Sequence, residues 1–285
     1  RMLVVAEFAL ALVLLVSAGL MVQSVRNLLA TRPGMRTEDV LTLSLELPET
    51  RYAGPTRAAA IYTRLQMAVG SLPGVRRVAA ITTLPLSHDR NFTHFNVSGK
   101  PPVPTAQAPT AVSVFVTPGY FATLGIPLLG GRDFTAHDDS AASPVAIVSE
   151  NMAKRYWPKG NAVGARVHIG PPDPTAPWLT VAGVVGNLRN DPTALAAEPM
   201  MFLSTRQAVF GSWFIVRTTG DPLALAATVR RTLASIDPVL PMVNVSTMRS
   251  VFDKKFTARR LPVVLMSAFG VLADRFGGRR MFTIT

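Results

Sequence analysis

The sequence predicts an α+β protein: an N-terminal transmembrane helix, then an α/β subdomain of two β-α-β halves, interrupted by a β-rich inserted subdomain. Three observations predict it. Met2–Val22 is a long apolar run with a single ionisable group, Glu7. Strand and helix patterns alternate as β-α-β from Val40 to Thr83 and again from Phe214 to Val245. Between them, from Pro85, the chain turns to Pro, His, Asn and Thr with short strand-like runs.

Met2–Val22 would span about 31 Å as a helix, matching a bilayer core of about 30 Å. A secretory signal peptide is the competing reading, but its apolar region is about 7–15 residues and ends at a small-residue cleavage site. Here apolar residues run on through Ser17-Ala18-Gly19, which favours a retained helix. Glu7 is costly at that depth unless it faces another helix or reaches the interface, and both readings stay open. Arg32-Pro33-Gly34 ends the amphipathic continuation that follows.

Val40–Leu47 alternates as a strand. Thr56–Leu72 carries an apolar stripe of Ala60, Ile61, Leu65, Ala68, Val69 and Leu72, stopped by Pro73-Gly74. Val75–Thr83 is a second strand, and a β-α-β unit of this kind implies neighbouring parallel strands. In the middle, strands are expected at Phe95–Ser98, Ala111–Val116, Val145–Ser149, Ala165–Ile169, Trp178–Val185 and Met200–Leu203. Short helices are expected at Pro118–Leu124 and Glu150–Trp157, and a glycine-rich turn at Gly125–Phe134. The second half has a strand at Phe214–Thr218, a helix at Asp221–Ile236 capped by Asp221, a strand at Pro241–Val245 and a helix at Thr247–Phe256. Leu261–Ala273 is apolar again but too short to span a bilayer unaided.

The formal net charge is +12 and cysteine is absent, so disulfides and thiolate metal sites are excluded. The charges are scattered, which argues against a nucleic-acid stripe. The local cluster of Lys254, Lys255, Arg259, Arg260, Arg275, Arg279 and Arg280 flanks the second apolar run and suits a membrane surface.

No phosphate-binding loop, dinucleotide fingerprint or nucleophile elbow occurs. His88-Asp89, His94, His137-Asp138-Asp139 and His168 match no standard metal spacing. Ser87-His88-Asp89 holds triad residue types, but adjacency does not make a triad. Asn91, Asn96 and Asn244 head glycosylation patterns that matter only in a eukaryotic secretory setting. Tyr120-Phe121 and Tyr156-Trp157 read as core rather than ligand-stacking pairs. Gly125, Gly130 and Gly131 read as turn residues. No catalytic, cofactor or metal residue is assigned, and the chain is not read as an enzyme.

Six stretches in order carry a resemblance: LVVAEFALALVLLVSAGLMVQS, LPGVRRVAAITTLPLS, TPGYFATLGIPLLGGRDF, VAIVSENMAKRYWP, LTVAGVVGNLRN and VRTTGDPLALAATVRRTLASIDPVLPM. Together they resemble the extracytoplasmic core of MacB-like and FtsX-like ABC transporter permeases, most of all the acidobacterial type that lacks a fused ATPase. That family usually has Gln where Glu7 stands, its second helix runs well past Ala273, and DRFGGRRMFTIT resembles none of it. Read this way the chain is a truncated fragment. The resemblance implies a bacterial inner-membrane permease subunit with a periplasmic domain that couples cytoplasmic ATP hydrolysis to extracytoplasmic movement or efflux. It also implies a separate ATPase subunit, further permease copies in a dimer, and inner-membrane lipid as partners, with no nucleic acid and no cofactor. The alternatives are a membrane-anchored binding module without transport and, more weakly, a secreted hydrolase.

The expected division is a membrane helix at 2–22, a stalk at 23–39, an α/β subdomain at 40–84 and 212–250, an insert at 85–211, a stalk with an incomplete second helix at 251–273, and a divergent tail at 274–285. Arg26, Arg32 and Arg36 follow the first helix while Arg1 alone precedes it, so the positive-inside rule would put the domain in the cytoplasm. Long loops translocate largely regardless of charge, and with the resemblance this places the domain outside.

Overall fold

A computed structural model describes residues 33–254, apart from 48, 53–54, 88–90, 102, 161, 172–175, 190–196 and 208–212, together with scattered positions between 4 and 23. The expectations for Leu261–Ala273 and the basic C-terminal cluster beyond Lys254 lie outside the described residues, as does most of the detail of Met2–Val22. Residues 33–252 form one compact unit.

Its first part is a four-stranded antiparallel sheet. The strands are β1 (Val40–Leu45), β2 (Val75–Ile81), β10 (Trp213–Thr218) and β11 (Met242–Thr247), ordered β11-β1-β10-β2. Two helices cross between strands: α1 (Pro55–Gly70) joins β1 to β2, and α4 (Ala226–Ile236) joins β10 to β11. This corrects one expectation. β1 and β2 are parallel but not neighbours, because β10 pairs antiparallel with both and lies between them. Each β-α-β half is thus split by a strand of the other, the interleaved arrangement of ferredoxin-like sheets.

The apolar periods explain the layering. Ile61, Tyr62, Leu65 and Val69 of α1 and Val229 and Leu233 of α4 are buried against Leu41, Leu43, Leu45, Phe214 and Val216. Tyr62 stacks on Phe214 at 5.6 Å between ring centroids. Ala60, expected in that stripe, is exposed, so the buried face is rotated toward Tyr62. Truncating the fully buried Leu65 to alanine would cost about 2–5 kcal/mol. The helix after Asp221 begins with a 3-10 turn at Leu223–Leu225, and the Asp221 carboxylate accepts the Leu223 N–H at 3.0 Å.

The segment between β2 and β10 folds on itself. It contains β3 (Phe92–Val97), β4 (Thr110–Val116), β5 (Leu128–Gly131), β6 (Val145–Ser149), β7 (Arg166–Ile169), β8 (Leu179–Val185) and β9 (Met200–Ser204). Pairing runs β4-β3-β7-β8-β6-β9, and β9 pairs back onto β4, so six strands close into a ring. Closure removes open edges. Alternate residues of those strands share one apolar cluster, including Phe95, Ala111, Val148, Val167, Val181 and Met201. Met152 of α3 (Glu150–Tyr156) joins it.

The opposite faces of β4, β6 and β9 supply Val114, Ile147 and Phe202 to a second cluster with α2 (Tyr120–Leu124) and with Ala79, Ile81 and Ile215 of the first sheet. The ring and the first sheet meet where Ile81 lies opposite Val116. Beside it the Thr117 N–H donates to the Ala80 carbonyl at 3.0 Å, and the Ala80 N–H donates to the Thr117 hydroxyl at 2.8 Å. The expected turn at Gly125–Phe134 contains β5. Gly125 and Gly131 hold φ of 65° and 71°, while Gly130 is an ordinary strand residue.

Candidate functional site

The segments by which the chain enters and leaves the compact unit sit together. On entry, the Arg189 N–H donates to the Pro33 carbonyl at 3.1 Å, and the Arg36 N–H donates to the Leu124 carbonyl at 2.7 Å. Gly34 between them has φ of 77°, and a Cβ there would stand 2.0 Å from the Asn187 carbonyl oxygen. Asn187 in turn accepts the Asn151 N–H at 2.8 Å and donates to Glu150 at 3.1 Å, which ties this clamp to the first turn of α3.

Residues 248–254 are helical and form the exit. Met35 of the entry and Met248 of the exit belong to one cluster, with Val251 and Phe252 packed against it. Above it Arg249 reaches Glu38 at 3.4 Å, both side chains mostly exposed. The Glu38 carboxyl is held below its ordinary range by a backbone hydrogen bond, with Thr37 and Arg249 adding to the effect.

A second feature is a groove of about 390 Å³ bounded by α1, the outer edge of β2, the Thr117-Pro118 turn and the end of β9. Arg76, Arg77 and Arg206 line it, and no Asp or Glu does. Its upper wall is fixed by Gln66, whose amide donates to the Val78 carbonyl at 2.9 Å. The Arg206 Nε is buried and finds no hydrogen-bond partner among the described residues. Burial pushes the Tyr62 hydroxyl up, so it stays protonated. Arg76 and Arg77 were read in the sequence only as part of the strand Val75–Thr83, not as a basic pair. Arg206 carried no signal, because what singles it out is burial.

The third feature is the loop after β5. Asp138, which in the sequence stood beside His137 in a run that matches no standard metal spacing, is buried and clasped by Arg132 through bonds of 2.7 and 2.8 Å. It also accepts the Thr135 N–H at 2.7 Å, and its backbone carbonyl accepts the Ser204 hydroxyl at 3.0 Å. The Arg132 hydrogen bonds are the main reason that its pKa falls to about 2.

The remaining sequence candidates do not converge. His94 contacts the Ala108 carbonyl at 3.3 Å, and His168 is buried on β7 with its ring 5.6 Å from that of Trp178. His137 is exposed, and His88 and Asp89 lie outside the described residues. Among the described residues no group of His, Asp or Glu could hold a metal ion. Tyr120 and Phe121 pack with Phe202, and Tyr156 meets Phe95 edge-on at 4.9 Å.

Among the described residues no helix is long and apolar enough to cross a membrane. The described positions between 4 and 23 are helical, and Val5, Phe8, Leu12 and Leu15 among them are 67–74% exposed.

No functionally curated protein matches the chain in sequence. Solved structures do match in fold. The periplasmic region of MacB from Actinobacillus actinomycetemcomitans aligns with a TM-score of 0.50 at 13% identity, over 80% of this chain and 96% of that one. The extracellular domain of the noncanonic ABC-type transporter YknZ from Gram-positive bacteria aligns with a TM-score of 0.46 at 16% identity, over 72% of this chain and all of that one. The mixed α/β fold is that of the MacB periplasmic region. A sequence profile extends the likeness from the first apolar stretch to the exit helix: residues 4–251 match the MacB-like periplasmic core domain, and the chain belongs to that family.

Proposed function

We propose that this chain is a permease subunit, or part of one, of an ABC-type transporter. In this reading Met2–Val22 anchors it in a bacterial inner membrane. The domain from Gln23 to Lys255 lies outside the cytoplasm and relays movement driven by a separate ATPase subunit. The single observation that carries the reading is the shared footing of entry and exit. Met35 and Met248 are buried in one cluster, so a displacement of either connecting segment is delivered to the same core. Packed cores transmit strain because they are dense and resist compression. The Gly34–Asn187 clamp extends that path to the ring.

The exposed apolar positions in the first stretch support the anchor, since a helix apolar all round finds its partners in lipid or in other helices. We also take residues 40–84 and 212–250 as one subdomain and 85–211 as the other, joined near Ile81 and Val116. Dimerisation with a second permease copy belongs to the same reading. A membrane-anchored binding module without transport is the second reading, favoured by the arginine groove.

Reporter fusions after Lys255 test the placement. Alkaline phosphatase should be active there and green fluorescent protein dark; the reverse pattern overturns it. Retention of the full-length chain in membranes after alkaline carbonate washing tests the anchor, and release of a shortened soluble product refutes it. Co-purification of an ATPase subunit separates transport from the binding-module reading.

A further inference from the structure

The arginine groove is built in a way that folding alone does not explain. A guanidinium N–H buried without an acceptor is an uncompensated cost, because arginine stays charged and its donors lose water on burial. Arg206 carries such a group at Nε. Arg76 and Arg77 add two further charges to the same concavity. Among the described residues none of the three guanidinium groups is engaged in an ion pair, while Arg51, Arg132 and Arg249 each have one. Like charges gathered in a cleft with low-dielectric walls focus the field and raise the local concentration of counter-ions. The guanidinium fork matches the two oxygens of a carboxylate or phosphate. The volume of about 390 Å³ is that of a small-molecule site.

We propose that the groove between α1, β2 and the end of β9 is a binding site for a small oxyanion, a phosphate- or carboxylate-bearing ligand, with Arg206 as its inner contact and Arg76 and Arg77 at its mouth. The ligand offsets three charges that no Asp or Glu of the groove balances. Gln66 serves as a positioning residue, since its bond to Val78 holds α1 against β2. The oxyanion can be a free metabolite or a phospholipid headgroup, and the same chemistry receives both. The site does not depend on the permease reading.

The test is calorimetry on the full chain in nonionic detergent. It is titrated separately with pyrophosphate, with citrate and with a short-chain phosphatidylglycerol below its micelle concentration. Saturable binding of at least one is expected, weakening as salt rises. Tighter binding of pyrophosphate or citrate identifies a free anion, and tighter binding of the lipid identifies a headgroup. Arg206→Gln should weaken binding about tenfold or more, as expected for loss of a charge-assisted hydrogen bond. Arg76→Ala, at an exposed position, should weaken it about threefold without affecting the fold. Arg230→Ala, outside the groove, is the control, and circular dichroism checks the fold of each variant. No saturable heat with any of the three probes overturns the proposal. Binding that survives both Arg206→Gln and Arg76→Ala unchanged overturns it equally.

Discussion

Arg132 grips Asp138 with two parallel hydrogen bonds of 2.7 and 2.8 Å, and this clasp fastens the loop after β5 to the end of β9. The carboxyl pKa falls from 3.8 to about 2, chiefly because of the Arg132 hydrogen bonds. A depressed carboxyl contributes stability above its unfolded value that is lost as pH falls through the folded value. Asp138 should therefore contribute about 2 kcal/mol near neutrality, lost between about pH 4 and pH 2. Asp133, pushed up by burial, acts in the opposite sense at higher pH, so the two windows separate. Asp138→Asn should cost about 1–3 kcal/mol at pH 7 and flatten the acid limb. Urea denaturation across a pH series checks both. An acid limb unchanged in the variant would show that the clasp is energetically idle.

Gly34→Ala should be among the most disruptive small substitutions in the chain. It combines a φ of 77° with a Cβ placed 2.0 Å from the Asn187 carbonyl oxygen, so backbone must move. A loss of about 2–4 kcal/mol is expected. Gly160→Ala separates conformational strain from collision, because Gly160 has φ of 85° and nothing within 4 Å of the added carbon. Its cost should be about 1–2 kcal/mol. Equal costs at the two sites, read from thermal melts, would show that the entry clamp yields freely.

Tyr120 is fully buried, and its hydroxyl finds no partner among the described residues. Burial accordingly drives its pKa up. Its ring packs with Phe121 and Phe202, so the aromatic body rather than the hydroxyl holds the site. Tyr120→Phe should leave stability within about 0.5 kcal/mol or raise it, whereas Tyr120→Ala should lose about 3–5 kcal/mol. A marked loss in the phenylalanine variant would reveal a hydrogen bond to the hydroxyl.

Much of the element order was legible because it is local. Val145–Ser149 is apolar at nearly every position and is buried on both faces, and the stripe of α1 follows the helical period. What was not legible is pairing. A period of two says that Ile215 and Phe214 face opposite ways, not that β10 will enter between β1 and β2. The closure of β9 onto β4 is equally invisible, since Met200–Ser204 and Thr110–Val116 are separated by most of the insert. Site chemistry failed in the same direction. Asp138 sat beside His137 as a possible ligand type, but its partner is Arg132, found only through the loop geometry. Arg206 is ordinary in sequence and distinctive only where its Nε is buried.

The junction of entry and exit offers a choice between two kinds of glue. Glu38 and Arg249 lie 3.4 Å apart with side chains 63% and 60% exposed. Exposed pairs gain little, because water screens the charges and ordering two long side chains costs entropy. Glu38→Gln should therefore change stability by under about 1 kcal/mol. Met248 is fully buried in the cluster that also holds Met35, Ile81 and Phe202. Met248→Ala removes apolar volume that the surrounding strands cannot refill, at about 2–5 kcal/mol. Met35, 9% exposed at the rim, should cost less on the same change. Chemical denaturation of the full chain in detergent reads all three. If Glu38→Gln proves as damaging as Met248→Ala, the two connecting segments are joined by charge at the surface. A relay through the shared core would then lose its physical basis.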